Sequence, residues 1–395
     1  MRRTGGSTSA IAASHGMMHA YLVLLPALMP LLESELGSYE TIGLIVSLVF
    51  FFYGWGSLPA GFLADRYPKK VLIVTSMAVC GASAIIVGLS ESMMPIAGSL
   101  VILGMGASLY HPAGYASMSL SSVEMRGRYM GIQGLAGDFG MALSYVTSAF
   151  LGFLLGWRNA FLVWGIAGIA VAMLDLLFIV EPNGSRNEPG ALRGYREILT
   201  KVFSAARLKL LALVFLIVIC SGGLWSGVSS FIVAYTRDVK GIGLVLAGGL
   251  STISYTIGGL AQLIGGEVSD RQGRSGIMVL GFGAFAFFLL TLTMAPGSTL
   301  LVLIILSLLG FTFYLTQSPV GALIGDISHD ETVGLTYGAN FALKYGIGSF
   351  SPAIAGYLAT RYSLSSAFYF FAAISALCFV LTLLLRGELL KRSVV

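Results

Sequence analysis

Long unbroken apolar runs, without the alternation of surface strands, follow one another from one end of this chain to the other. Runs of about 20 residues are long enough to cross ~30 Å of hydrocarbon as a helix. Twelve are predicted, at residues 11–36, 41–64, 70–90, 94–121, 129–155, 158–180, 209–235, 242–268, 276–295, 298–325, 334–360 and 364–386. Each is continuous and about twice as long as a barrel strand, so the expected fold is an all-α membrane protein with twelve transmembrane helices, here called spans 1 to 12.

Composition agrees with the pattern. With 56% hydrophobic and 10% charged residues and a mean hydropathy of +0.87, the chain has too little polar surface to cover a soluble globule. The 51 glycines suit close helix packing in a bilayer. The start, MRRTGGSTSAIAASHG, lacks the short apolar core and cleavage site of a removable signal, so span 1 is expected to be retained. Cys80, Cys220 and Cys378 each fall within a span, which argues for packing roles over a disulfide framework or thiolate metal cluster.

Charge then fixes orientation. If both ends lie on one side, 18 of the 23 lysines and arginines collect there; the other side has Arg158, Arg237, Lys240 and Arg361, and Lys344 lies within a span. The positive-inside rule places both termini and the loop after span 6 in the cytoplasm, in a multi-pass inner-membrane protein. The basic residues sit in separate loops, so no nucleic-acid surface is expected.

The chain also repeats itself. Gly61, Asp65 and Arg66, in GFLADRYPKK, correspond to Gly266, Asp270 and Arg271, in GGEVSDRQGRS, 205 residues later. Pro112 and Gly114 match Pro319 and Gly321 at an offset of 207, as do Gly131-Ile132-Gln133 with Gly338-Ala339-Asn340 and Ala160-Phe161 with Ala367-Phe368. Two parallel, pseudo-symmetric six-helix bundles are the simplest account, residues 1–181 and 209–395, joined by a polar cytoplasmic linker at 182–208.

Two such halves, with GFLADRYPKK after span 2, resemble the major facilitator superfamily of secondary transporters, whose signature there is G-x-L-A-D-R-x-G-R-K. Pro68 stands in place of the usual glycine, which the second copy keeps as Gly273. GWRNAF, at 156–161, is similar to the family's usual start of span 6. SHGMMHAYLVLLPALMPLL and LGMGASLYHPAGYASMS look most like the fosmidomycin-resistance branch of drug exporters. That branch tends to have an acidic residue near the position of His19.

The resemblance implies a monomer working by alternating access, with spans 1, 4, 7 and 10 lining a central cavity. It places Asp65 near the start of span 11 and Asp270 near the start of span 5, where a carboxylate is stabilised by unpaired amides and the helix dipole. Each would latch one half to the other in one state. Arg66 is expected to pair with Glu124, and Arg271 or Arg274 with Asp326 or Asp330; Gly61 and Gly266 would let backbones approach closely.

Ionisable groups at membrane depth are costly, and here they are few. His15 and His19 are four apart and share a face of span 1. With His111 of span 4 they could converge on the cavity beside Tyr110, Tyr115, Trp225, Tyr314 and Gln317. Asp138 and Lys344 sit one residue out of the repeat register, which suggests that they face the cavity from opposite walls, Asp138 as proton carrier and Lys344 as anchor for an anionic group; a structural ion pair is the competing reading. Asp175 is expected to snorkel to the interface. Pro112 and Pro319 are expected to mark bends.

The leading functional expectation is a proton-coupled secondary transporter of a small organic solute or drug, an exporter, binding protons and a small molecule within the lipid bilayer. An importer of an organic anion or metabolite is a second reading. A divalent transition-metal carrier using His15, His19, His111 and Asp138 is a third. No GxxxxGK[ST] loop is present to bind a nucleotide, and no HExxH or GxSxG motif supports an enzyme. No cofactor or resident metal is expected.

Overall fold

The structure is a computed structural model that describes residues 2–121, 126–181, 205–327 and 338–393. Among these residues it is helical throughout and contains no strand. In the first half, spans 1, 2 and 3 are Arg2–Leu36, Tyr39–Arg66 and Lys69–Leu89; spans 5 and 6 are Arg126–Leu155 and Trp157–Phe178. In the second half, spans 7, 8 and 9 are Ala205–Ala234, Leu244–Gln272 and Arg274–Met294, and span 12 is Leu364–Ser393. Span 7 begins inside the expected linker; residues 182–204 and Glu124 lie outside the described residues.

Spans 4 and 10 are broken. Span 4 consists of Met93–Ser108 and Tyr110–Ser121, and span 10 of Thr299–Tyr314 and Gln317–Ile327. Proline has no N–H to return to the carbonyl four residues back and crowds it, so Pro112 and Pro319 disrupt the turns that precede them. At both breaks the ladder tightens by one residue: Leu109 N–H donates to Gly106 O at 3.2 Å, and Thr316 N–H to Phe313 O at 3.1 Å. Leu109 and Thr316 are themselves 207 apart. The bends expected from the two prolines are present at matching points.

Span 11 departs further from regularity. Residues 338–341 are helical, Ala342–Ile347 form a π-helical turn, and Phe350–Arg361 completes the crossing. The other eleven crossings each have a helical stretch long and apolar enough to traverse a membrane.

Packing repeats between halves. Span 3 lies against span 6 as span 9 lies against span 12, and span 2 against span 4 as span 8 against span 10. The seam of spans 1 and 5 closes on Gly16 and Gly140, where an added Cβ at Gly140 would overlap the Gly16 backbone. The matching seam of spans 7 and 11 closes on Gly222 against the Lys344 carbonyl.

The halves meet along spans 2 and 11, 5 and 8, and 1 and 7. An added Cβ on Gly43 would lie 2.5 Å from Pro352 O. Hydrogen bonds across the join run from Ala353 N–H to Ser47 Oγ (2.8 Å), Thr252 Oγ1 to Ala142 O (2.6 Å), Tyr145 hydroxyl to Ser229 O (2.7 Å) and Arg237 Nη1 to Pro30 O (3.0 Å). The Tyr39 hydroxyl donates to Asp238, and Glu40 N–H to Thr360 Oγ1 at 2.9 Å. Among the described residues, these hydrogen bonds between the halves lie in the part of the bundle away from the termini. Nearer the termini, Gly61, Gly131 and Gly338 have open space where a Cβ would be.

Candidate functional site

The first half brings three imidazoles together. His15 and His19 lie one turn apart on span 1 with ring centroids 4.7 Å apart, and His111, just after the break in span 4, lies 5.1 Å from His15 and 5.5 Å from His19. His15 is 2% and His111 7% exposed. His15 Nδ1 sits 2.5 Å from the Gln133 carbonyl, which makes that nitrogen the N–H and leaves the lone pair on Nε2. Gln133 is completely buried, and its side-chain amide donates to the Tyr110 hydroxyl at 2.9 Å, which donates in turn to Ile11 O. Tyr115 stacks on His111 with a centroid separation of 5.4 Å.

The second half presents a cation. Lys344 lies in the π turn of span 11, and its Nζ donates to Gln317 Oε1 at 2.8 Å. The Gln317 amide nitrogen lies 3.0 Å from Thr316 Oγ1 and 3.3 Å from Ser221 Oγ, which fixes its carbonyl toward the ammonium. Trp225 Nε1 approaches the Tyr314 hydroxyl at 3.4 Å, and Tyr345 packs edge-on to Trp225 at 5.3 Å. Behind Trp225 and Tyr314, among spans 7 to 10, is a small apolar pocket that also touches Tyr255, Phe285 and Leu306.

Asp138 of span 5 faces Gly259 of span 8, with Oδ2 3.6 Å from where a Cβ there would be. No ion pair joins Asp138 to Lys344, although their charges act on one another through the intervening space. Asp138 is also separate from the histidine cluster. The expectation that it would complete a metal site with the three histidines does not match the structure.

Among the described residues, neither copy of the loop motif makes a contact with the opposite half. Asp65 and Arg66 are exposed, and the Arg66 guanidinium lies over its own helix's Phe62 ring at 3.9 Å. Gly61 makes no close approach, and Gly266 faces only Ser318 of its own half. Arg274 bridges Asp270 and Asp326 (3.1 Å), as expected for Asp326, whereas Arg271 pairs with Glu267 at 2.7 Å. Residues around the start of span 11, and Glu124 and Asp330, lie outside the described residues.

A carboxylate at a helix start does occur, in a different place. Glu181, just past span 6, accepts from the backbone N–H groups of Lys69 and Lys70 through its two oxygens, both at 2.9 Å, at the start of span 3. Asp175 does not snorkel: it is wholly buried and accepts from Ser14 Oγ at 2.7 Å.

A profile of the Major Facilitator Superfamily matches residues 11–352 and again residues 250–393. The chain belongs to the major facilitator superfamily. It is a multi-pass membrane transporter of small organic substrates and not an enzyme. It is 24% identical over 357 residues to a probable sulfoacetate transporter, SauU, of Cupriavidus necator, covering 84% of this chain and 82% of that one. It is 23% identical to the fosmidomycin resistance protein of Escherichia coli, covering 92% of this chain and 88% of the relative. A crystal structure of a variant of the nucleoside transporter NupG superposes with a TM-score of 0.84 at 11% identity, covering 97% and 99% of the two chains.

Within that family fold, the structure brings His15, His19, Tyr110, His111 and Tyr115 together on one wall and Trp225, Tyr314, Gln317 and Lys344 on the other. Tyr345, also expected from the sequence as a pocket-wall aromatic, packs beside Trp225, whereas Gln133 was not singled out as a site residue. The one available signal for Gln133 was its place in the internal repeat, opposite Asn340.

Proposed function

We propose that the protein is a proton-coupled importer of a small organic anion with an apolar body, a monomer working by alternating access. The observation that carries this reading is Lys344, an ammonium within a membrane span held by a neutral amide instead of a carboxylate. A carboxylate or sulfonate on the substrate would supply the missing counter-charge. The apolar body would lie against Trp225 and Tyr314.

Charge balance supplies the coupling. With Lys344 charged and Asp138 ionised, the two walls sum to zero. An arriving anion makes the cavity net negative, which in a poorly solvated site costs several kcal/mol. A proton taken up by Asp138 restores neutrality, so anion and proton cross together and an inward proton gradient drives uptake. This sign relation favours the anion importer over the drug exporter. The excess of basic residues on the side of the termini supports cytoplasmic termini in the inner membrane.

The test is uptake into proteoliposomes of a panel of labelled monocarboxylates and monosulfonates with aliphatic or aromatic bodies, with the dianion sulfoacetate alongside, under an imposed pH gradient. Uptake should accelerate with an acidic exterior and fall about 100-fold or more in Lys344→Gln, while the variant stays folded by size-exclusion profile. Wild-type uptake by that variant, or transport of neutral and cationic solutes alone, would overturn the reading.

A further inference from the structure

We infer that His15, His19 and His111 form a binding site for a divalent transition-metal ion of the zinc, cobalt and nickel group, separate from the anion position at Lys344. Each histidine offers one nitrogen, and the three nitrogens lie within 4.8 Å of one another. His15 Nε2, His19 Nδ1 and His111 Nδ1 are all buried without a hydrogen-bond partner. Buried polar atoms are nearly always satisfied, and three orphans in one cluster call for a shared acceptor of their lone pairs.

The chemistry of the set matches a metal. Neutral imidazole is the common ligand for this group of ions. His15 already has the supporting contact that metal-bound histidines show, its other ring nitrogen directed at the Gln133 carbonyl, which sets the tautomer and aims Nε2 into the cluster. Tetrahedral coordination at ~2.0–2.1 Å puts ligand nitrogens roughly 3.4 Å apart, so the widest pair must close by about 1.4 Å. Ring rotations of His19, which is only half-buried, can supply much of that movement.

Three protein ligands leave a fourth coordination position for water. Lys344 of the opposite wall is the charged group that acts on the cluster, through His19. Gly137 of span 5 provides the room: a Cβ there would lie 2.8 Å from His15 Cε1 and 3.1 Å from His19 Cδ2.

The experiment uses the full chain, purified in detergent on a histidine-free tag, stripped with chelator and titrated with Co²⁺, with visible ligand-field absorption and equilibrium dialysis as readouts. One ion per chain is expected. Binding should weaken at least about tenfold in His19→Phe and in His111→Phe, which keep a ring, the latter against Tyr115 and Phe341, but remove the nitrogens. Lys344→Gln should bind Co²⁺ at least as tightly as the unaltered protein does, which separates this site from the anion reading. Absence of stoichiometric binding, or binding that survives both phenylalanine variants, would overturn the assignment.

Discussion

In the first half the cavity wall consists of imidazoles, tyrosines and a carboxylate without a partner; in the second it is one ammonium on an amide, beside tryptophan and tyrosine. The skeleton behind both walls is the same. Breaks at Leu109 and Thr316, and glycine seams at Gly16 and Gly222, occur at matching points. Equivalent wall positions have diverged in kind. Tyr110 matches Gln317, and one ties back to Ile11 while the other holds Lys344. Lys344 itself matches Gly137, whose missing side chain makes room for His15 and His19. Duplication supplied the scaffold, and single replacements at register positions gave the two walls opposite chemistry.

That contrast is sharpest at Asp138. Asp138→Asn should reduce proton-driven accumulation about 100-fold or more while leaving anion counterflow across the membrane intact, because the neutral amide cannot move a proton. Retained accumulation would show that the first wall does not supply the proton. A smaller effect is expected at the loops, where neither copy of the motif touches the opposite half among the described residues. Asp65→Asn and Asp270→Asn should each slow transport about tenfold, the equivalent of ~1.4 kcal/mol on one state of the cycle, with expression unchanged. Normal rates in both variants would remove the latch.

The least effect concerns the far ends of spans 1 and 7. Glu35 stays within its own half, accepting from Trp157 Nε1 at 3.0 Å and pairing with Arg158 at 2.6 Å, whereas Asp238 reaches across to Tyr39. Partial burial pushes the Glu35 carboxyl up, but the hydrogen bonds from Trp157 and Arg158 and the guanidinium charge outweigh it and hold the group below its usual range. Its contribution is therefore present above the ordinary carboxylate range and is lost as pH falls through the lowered value. Because the pair is exposed, Glu35→Gln should cost under about 1 kcal/mol in thermal unfolding at neutral pH and nothing at strongly acid pH. A larger loss that persists in acid would mean that packing, and not charge, joins spans 1 and 6.

Much of the fold was legible in the sequence, because run length and repeat register are local properties. The twelve spans, the two halves and the proline bends follow from them. The site was only partly legible. Spacing placed His15 beside His19, and the repeat pointed to Pro112 and Pro319. Nothing local announces that the Gln133 carbonyl meets His15, that Glu181 caps span 3, or that Asp175 is buried on Ser14. These contacts join residues more than 100 positions apart, and the chain pattern does not encode them. The π turn that carries Lys344 is a similar case; its neighbours Gly346 and Gly348 were a hint that periodicity alone does not use.

The breaks at Leu109 and Thr316 have a mechanical consequence. A continuous helix across the membrane is a stiff rod, and tilting one end displaces the other. A rod jointed at the same height in both halves is relieved of that constraint, because the segment on one side of the joint can tilt while the segment on the other side keeps its packing.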